Sequence, residues 1–165
     1  MNPAQENQIS LPATLWRITK QKHASIAFTA EGAKRFGARW NHRGTPVVHA
    51  SDSLALAALE LFVHLGRQGL HIRFAYFRIQ IPEDVSISSI DPESLPRDWR
   101  KKPPPTSTMD MGSQWAHSNE SAVLAVPSVV VPVGANYLIN PNHPQYKKIE
   151  ISSPESFTLD PRMWK

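Results

Sequence analysis

The chain has 165 residues, 41% of them hydrophobic, with five Trp, six Phe and no Cys. That length and apolar content suit one core-forming domain and exclude wholesale disorder. The missing thiols exclude a disulfide scaffold, a Cys nucleophile and Cys-ligated metal centres. Eighteen Lys and Arg against 14 Asp and Glu leave a net charge of +4, and the basic residues are scattered rather than gathered into the stripe that a nucleic-acid footprint needs.

The N-terminal residues, Met1 to Ser10, are polar and lack a basic region followed by an apolar one, so no secretory signal is read there and a reduced, cytoplasmic setting is expected. Thr14 to Thr19 reads as a strand. Phe36 to Trp40 and Val47 to Ala50 read as short strands around the turn His42-Arg43-Gly44. Ser51 or Asp52 can cap a helix with its body at Leu54 to Leu65, ending near Gly66 and Gly69. His71 to Ile81 alternates and reads as a long strand, followed by another at Val85 to Ile90. Pro103-Pro104-Pro105 with Thr106-Ser107-Thr108 reads as an irregular connector, and residues 112–118 as a short helix. Ala122 to Val126 and Ser128 to Val131 read as strands interrupted by Pro127, with Tyr137 to Ile139 and Lys148 to Ile151 completing the chain. Prolines punctuate the last third and exclude long helices there. The sum is an α+β single domain with mixed sheets. No strand–helix alternation marks a doubly wound sheet, and no glycine-rich phosphate loop is present. The longest apolar run, Leu54 to Val63, is broken at Glu60, so no membrane span is expected.

Glu60 is the most informative residue. Its helix is otherwise apolar except for His64, and a helix apolar nearly all round is buried. A carboxylate taken out of water needs a partner or a purpose. Glu60 either shares one wet stripe with His64 or faces a cleft, held by an Arg. One Glu and one His are too few for a metal site, and no second motif supports them. In Arg39-Trp40-Asn41-His42-Arg43-Gly44, Arg39 offers a planar fork for phosphate or carboxylate, or a structural salt bridge, with Glu60 as one partner. His49 is either a hydrogen-bonded core histidine or a site residue. Ser128 lies in an apolar stretch without Gly-x-Ser-x-Gly or Ser-x-x-Lys around it, so it reads as a hydrogen-bonding serine, of core or of site, rather than a nucleophile.

Taken together these segments resemble the RES domain, the toxin half of bacterial Xre–RES toxin–antitoxin pairs, named for its Arg, Glu and Ser. Those positions match Arg39 in Arg-Trp-Asn-x-x-Gly, Glu60 in Ala-x-x-Glu and Ser128 in Val-Pro-Ser. Leu-Trp-Arg-Ile at 15–18, Leu-Pro-Arg-Asp-Trp-Arg at 95–100, Gly-Ser-Gln-Trp at 112–115 and Asn-Pro-x-His-Pro at 140–144 fit as well, in order. The resemblance sets expected bounds of an extension at 1–13, the RES domain at 14–160 and a tail at 161–165. It implies a fold like that of diphtheria-toxin-type ADP-ribosyltransferases, with a buried helix at 53–65.

The resemblance also implies NAD as substrate, with no prosthetic group or metal. The reaction would be hydrolysis, phosphorolysis or ADP-ribosyl transfer. It further implies an Xre-type antitoxin that covers the active-site cleft within an oligomeric complex. Glu60 would stabilise an oxocarbenium-like sugar. Arg39 would clamp a phosphate or orient Glu60, and Arg17 would bind phosphate or ribose. Ser128 would hydrogen-bond Glu60 or the ribose, and His49 would pack on the nicotinamide side. The family usually carries Tyr where this chain has His49. A module that has lost turnover and mainly binds an antitoxin is therefore the alternative reading.

Overall fold

The structure, a computed structural model, describes residues 14–165. The expectations for residues 1–13 lie outside the described residues. Strand β1 (Thr14–Lys20) is followed by helix α1 (Glu31–Phe36), strand β2 (Val48–Ser51) and helix α2 (Leu54–Phe62). Strands β3 (Phe74–Gln80) and β4 (Ile87–Ser89) precede helix α3 (Thr106–Ser118). Strands β5 (Val123–Pro127), β6 (Ala135–Ile139), β7 (Glu150–Ile151) and β8 (Glu155–Phe157) follow. Among the described residues the strands form one mixed sheet in the order β4-β5-β6-β2-β1-β3-β7, with β8 also pairing β3. The β4–β5 pair is parallel and the other pairs are antiparallel. This is the expected α+β single domain.

Side chains alternate between the two faces of a strand, and the register therefore sorts the core into two layers. Leu15, Val48, Ala50, Ile79, Val123, Ala125, Tyr137 and Ile139 fill one face. Leu124, Val126 and Leu138 point to the other, where they meet Trp40, Val47, Trp99, Trp115 and Ala116. By the same alternation His49, Ser51 and Asn136 stand on this second face. Leu138 is fully buried. Truncating it to Ala would cost about 2–5 kcal/mol, the usual range for a packed Leu.

Four local readings are corrected. Phe36 to Trp40 is not a strand. α1 ends at Phe36, Gly37 takes φ 69°, and the chain folds into an isolated bridge between Ala38 and Asn41. A positive φ at the helix exit is the glycine end signal. The helix expected at 53–65 spans Leu54–Phe62 and is capped by Ser53, whose Oγ accepts from the Leu56 amide. Ser51 and Asp52 are already engaged by Asn136 and by the Ala135 amide. α2 is also less buried than its composition implies, for Leu59 and Val63 are 37% and 48% exposed. The third correction concerns α3. It starts at Thr106, directly after the proline run, which supplies its entry.

The fourth concerns Ser128 to Val131, which is a turn rather than a strand. The Ser128 hydroxyl takes the amides of Val130 and Val131, and a side chain that captures local amides competes with a sheet ladder. Elsewhere proline sets short turns. Asp91, His143 and Asp160 cap three of them, each just before a Pro at the first position, where the missing N–H costs nothing.

Candidate active site

α2 packs on β1 and β2 and carries Glu60 to the edge of the second sheet face. The carboxylate is half-buried. Ser128 Oγ donates to its Oε1 at 2.7 Å and Asn136 Nδ2 donates to the same oxygen at 2.6 Å. Oε2 has no hydrogen-bond partner among the described residues. Glu60 is therefore satisfied on one side and available on the other. His64, four residues on, is exposed and makes no hydrogen bond to Glu60.

The expected ion pair between Glu60 and an Arg is corrected. Among the described residues no salt bridge involves Glu60. Arg39 Nη1 donates instead to the carbonyls of Trp99 and Lys101. Its guanidinium is held below its ordinary range by desolvation, an effect that the field of Glu60 opposes. The two groups thus lie near enough for their fields to interact, with no salt bridge between them. Arg39 pins the basic loop at Trp99–Lys101 to the site, and Arg100 stacks on Trp99 at 4.9 Å. Neutral donors hold Glu60, while Arg39 Nη1 is bonded to loop carbonyls.

The segment that carries Arg39 is locked onto α3. Gly112 lies directly under it: a Cβ there would stand 1.7 Å from the Trp40 carbonyl oxygen. Ser113 Oγ accepts from the His42 amide and from Thr45 Oγ1. Asn41 is completely buried. Its Nδ2 faces the carbonyls of Ala33, His42 and Thr45 at 3.0–3.4 Å. That fixes Oδ1 toward His49 Nε2, 3.2 Å away. An amide oxygen only accepts, so Nε2 carries the proton and Nδ1 is the free acceptor.

His49 is half-buried. Desolvation first, and the neighbouring Arg17 second, push its pKa down to about 4. It is a neutral ring of fixed tautomer. By strand alternation Arg17 starts from the opposite face, beside β2, with which β1 shares a single register pair, Trp16 with Ser51. Its Nη1 donates to the His49 carbonyl at 2.8 Å and its Nε to Ala27 at 2.9 Å. Burial lowers it to about 10, so it stays cationic at neutral pH.

The structure therefore brings Glu60 and Ser128 into contact, sets Arg39 near them without a bond, and joins Arg17 to the backbone of His49. Sequence reasoning assigned no role to Asn136 and read Ser51 only as a candidate helix cap. Their signal was a polar residue at an inward position of an apolar strand. Among the described residues, no group of three His, Asp or Glu is placed to hold a metal ion, and no helix is long and apolar enough to cross a membrane.

A family model described as the RES domain matches residues 14–160. The chain belongs to the RES domain family. A RES relative from Yersinia enterocolitica, named Toxin Res, is 38% identical over 150 residues, covering 90% of this chain and 98% of its own. One from Sphingobium sp., named Prs ADP-ribosylating toxin, is 39% identical over 157 residues, covering 93% and 98%. Among solved structures, the Mycobacterium tuberculosis MbcT–MbcA toxin–antitoxin complex contains a chain of the same fold. Its TM-score is 0.66 at 19% identity, with coverage of 92% of this chain and 86% of that one. The solved chain shares the α+β architecture that the motifs at Arg39, Glu60 and Ser128 led us to expect.

Proposed function

We propose that this RES protein is a toxin that breaks the nicotinamide–ribose bond of NAD. The observation that carries the reading is the Glu60 carboxylate, which among the described residues has two donors on one oxygen and none on the other. Cleavage of that bond builds positive charge on the ribose, as in glycoside hydrolysis. A fixed anion near that charge binds the transition state better than the ground state. Nicotinamide leaves as a neutral base from a pyridinium, so one carboxylate suffices and no general acid is required.

The other residues take supporting roles. Arg39, with Nη1 on the loop, turns its remaining N–H groups to a phosphate. Arg17 supplies a second cation beside the His49 strand, for phosphate or ribose. His49 packs on the nicotinamide side, and its Nδ1 accepts a hydrogen bond there. A neutral imidazole adds no charge next to the developing cation, so its presence in place of Tyr is compatible with turnover. Ser128 holds Glu60.

The toxin names of the relatives support this reading. The ADP-ribosylating relative supports an ADP-ribose donor, and the solved toxin–antitoxin complex supports an antitoxin partner; in our reading that partner is of the Xre type and covers the cleft. Residues 14–160 are the proposed working unit, acting in the cytoplasm. The test is mass analysis of products after the purified chain is incubated with NAD, with and without inorganic phosphate. Free nicotinamide is expected in both arms. ADP-ribose marks water as acceptor, a phosphorylated ADP-ribose marks phosphate, and a mass gain on an added protein marks transfer. Intact NAD in every arm contradicts the proposal.

A further inference from the structure

We infer that Asn136, held in turn by Ser51, is the positioning residue that aims Glu60, so that Oε2 and not Oε1 faces the ribose. The inference rests on the NAD-cleaving role proposed for Glu60. Ser51 Oγ donates to Asn136 Oδ1 at 2.7 Å, and Asn136 Nδ2 donates to Glu60 Oε1 at 2.6 Å. Ser51 and Asn136 are register partners on β2 and β6, and Ser51 is only 4% exposed. The two ends of an amide differ in kind: the oxygen accepts and the nitrogen donates. With the Ser51 hydroxyl on the oxygen, the nitrogen is left for Glu60. Ser128 completes the arrangement. Its Oγ accepts from the Val130 and Val131 amides, so its one proton goes to Glu60 Oε1.

Two donors and no acceptor meet Oε1, an arrangement that suits a carboxylate and leaves Oε2 for the substrate. The two anchors differ in rigidity. Ser128 sits on a turn, whereas Asn136 sits on a strand paired on both sides, with β2 and β5. Asn136 therefore ties Glu60, which rides on α2, to the sheet face on which His49 stands. A misplacement of about 1 Å at a reacting group costs on the order of 10²-fold in rate.

Steady-state NAD consumption by the purified chain tests this. Asn136→Ala is expected to lower kcat on the order of 10²-fold with the KM for NAD little changed. Asn136→Asp, nearly the same shape but without an N–H and with a second negative charge beside Glu60, is expected to fall at least as far. Ser51→Ala is expected to lower kcat by a smaller factor and to add nothing in the Asn136→Ala background, because both act through one bond. A packing role gives the reverse: Asp close to wild type, and independent losses that multiply. That pattern, or wild-type kcat in Asn136→Ala, or a rise in KM alone, overturns the inference. If Asn136→Ala does not fold, Ser51→Ala, which removes one oxygen, decides the matter: unchanged kcat overturns. A Glu60→Gln control separates the two readings. A Glu60→Gln protein at wild-type rate defeats the proposed function, whereas an inactive one beside a fully active Asn136→Ala defeats only this inference.

Discussion

At the scale of single residues, His49 shows how an environment turns a titratable group into a neutral one. Its pKa is about 4 in the fold and ordinarily near ~6.5 in an unfolded chain. Between those values the unfolded chain binds the extra proton, so stability is complete above about pH 6.5 and falls as pH drops toward about 4. The slope from this group is at most about 1.4 kcal/mol per pH unit. Urea unfolding of wild type and His49→Tyr across that window should show a shallower decline in the variant; parallel declines would contradict the assignment. Because the ring is neutral at working pH, His49→Tyr should keep or raise NAD consumption, read by nicotinamide release. A dead, folded His49→Tyr would mean that the pocket depends on the imidazole itself.

Glu60 was legible from sequence because one acid interrupted an apolar helix. Its bond to Ser128 was expected, but its second donor, Asn136, was not, since Ala-Asn-Tyr-Leu-Ile reads as an ordinary strand until register brings Asn136 to Ser51. The expected Glu60–Arg ion pair failed for a related reason. Nothing in the composition shows that Arg39 is taken up by the Trp99 and Lys101 carbonyls.

At the scale of elements, periodicity read β1, β2, α2, β3, β5 and β6 in the right places, because each buries one stripe or both faces. It misread two segments for different reasons: the Ser128 hydroxyl captures the Val130 and Val131 amides, and a positive φ at Gly37 ends α1. Gly-Ser-Gln-Trp at the middle of α3 is explained by contact. Gly112 makes room for the Trp40 carbonyl, and Ser113 takes the His42 amide. Trp115 Nε1 donates to Ser121. Gly112→Ala must push α3 away from the Arg39 segment, because a 1.7 Å approach to backbone cannot be relieved by a rotamer. Overpacking of this kind costs about 1–3 kcal/mol, occasionally more. Chemical denaturation should show that loss, and NAD consumption should fall with it because Arg39 moves. A stable, fully active Gly112→Ala protein would contradict the proposed coupling.

At the scale of the whole molecule, one mixed sheet separates an apolar layer from a layer in which three Trp, α3 and the candidate site share a face. α2 brings the acid to that face from the β1–β2 side, and the Arg39 segment closes it from the other. The division explains how a chain of this size holds a half-buried carboxylate: the sheet supplies Asn136, the turn after β5 supplies Ser128, and apolar cores on both faces surround them. In cells, expression of the chain alone should collapse the NAD pool and arrest growth. Normal growth with undiminished NAD would favour the antitoxin-binding module over the enzyme.

The most direct measurement compares nicotinamide release from NAD by the purified wild-type chain and by Glu60→Gln, with folding of both checked by circular dichroism. The account predicts steady release by the wild type and none above background from an equally folded Glu60→Gln. Equal release from the two proteins would contradict it.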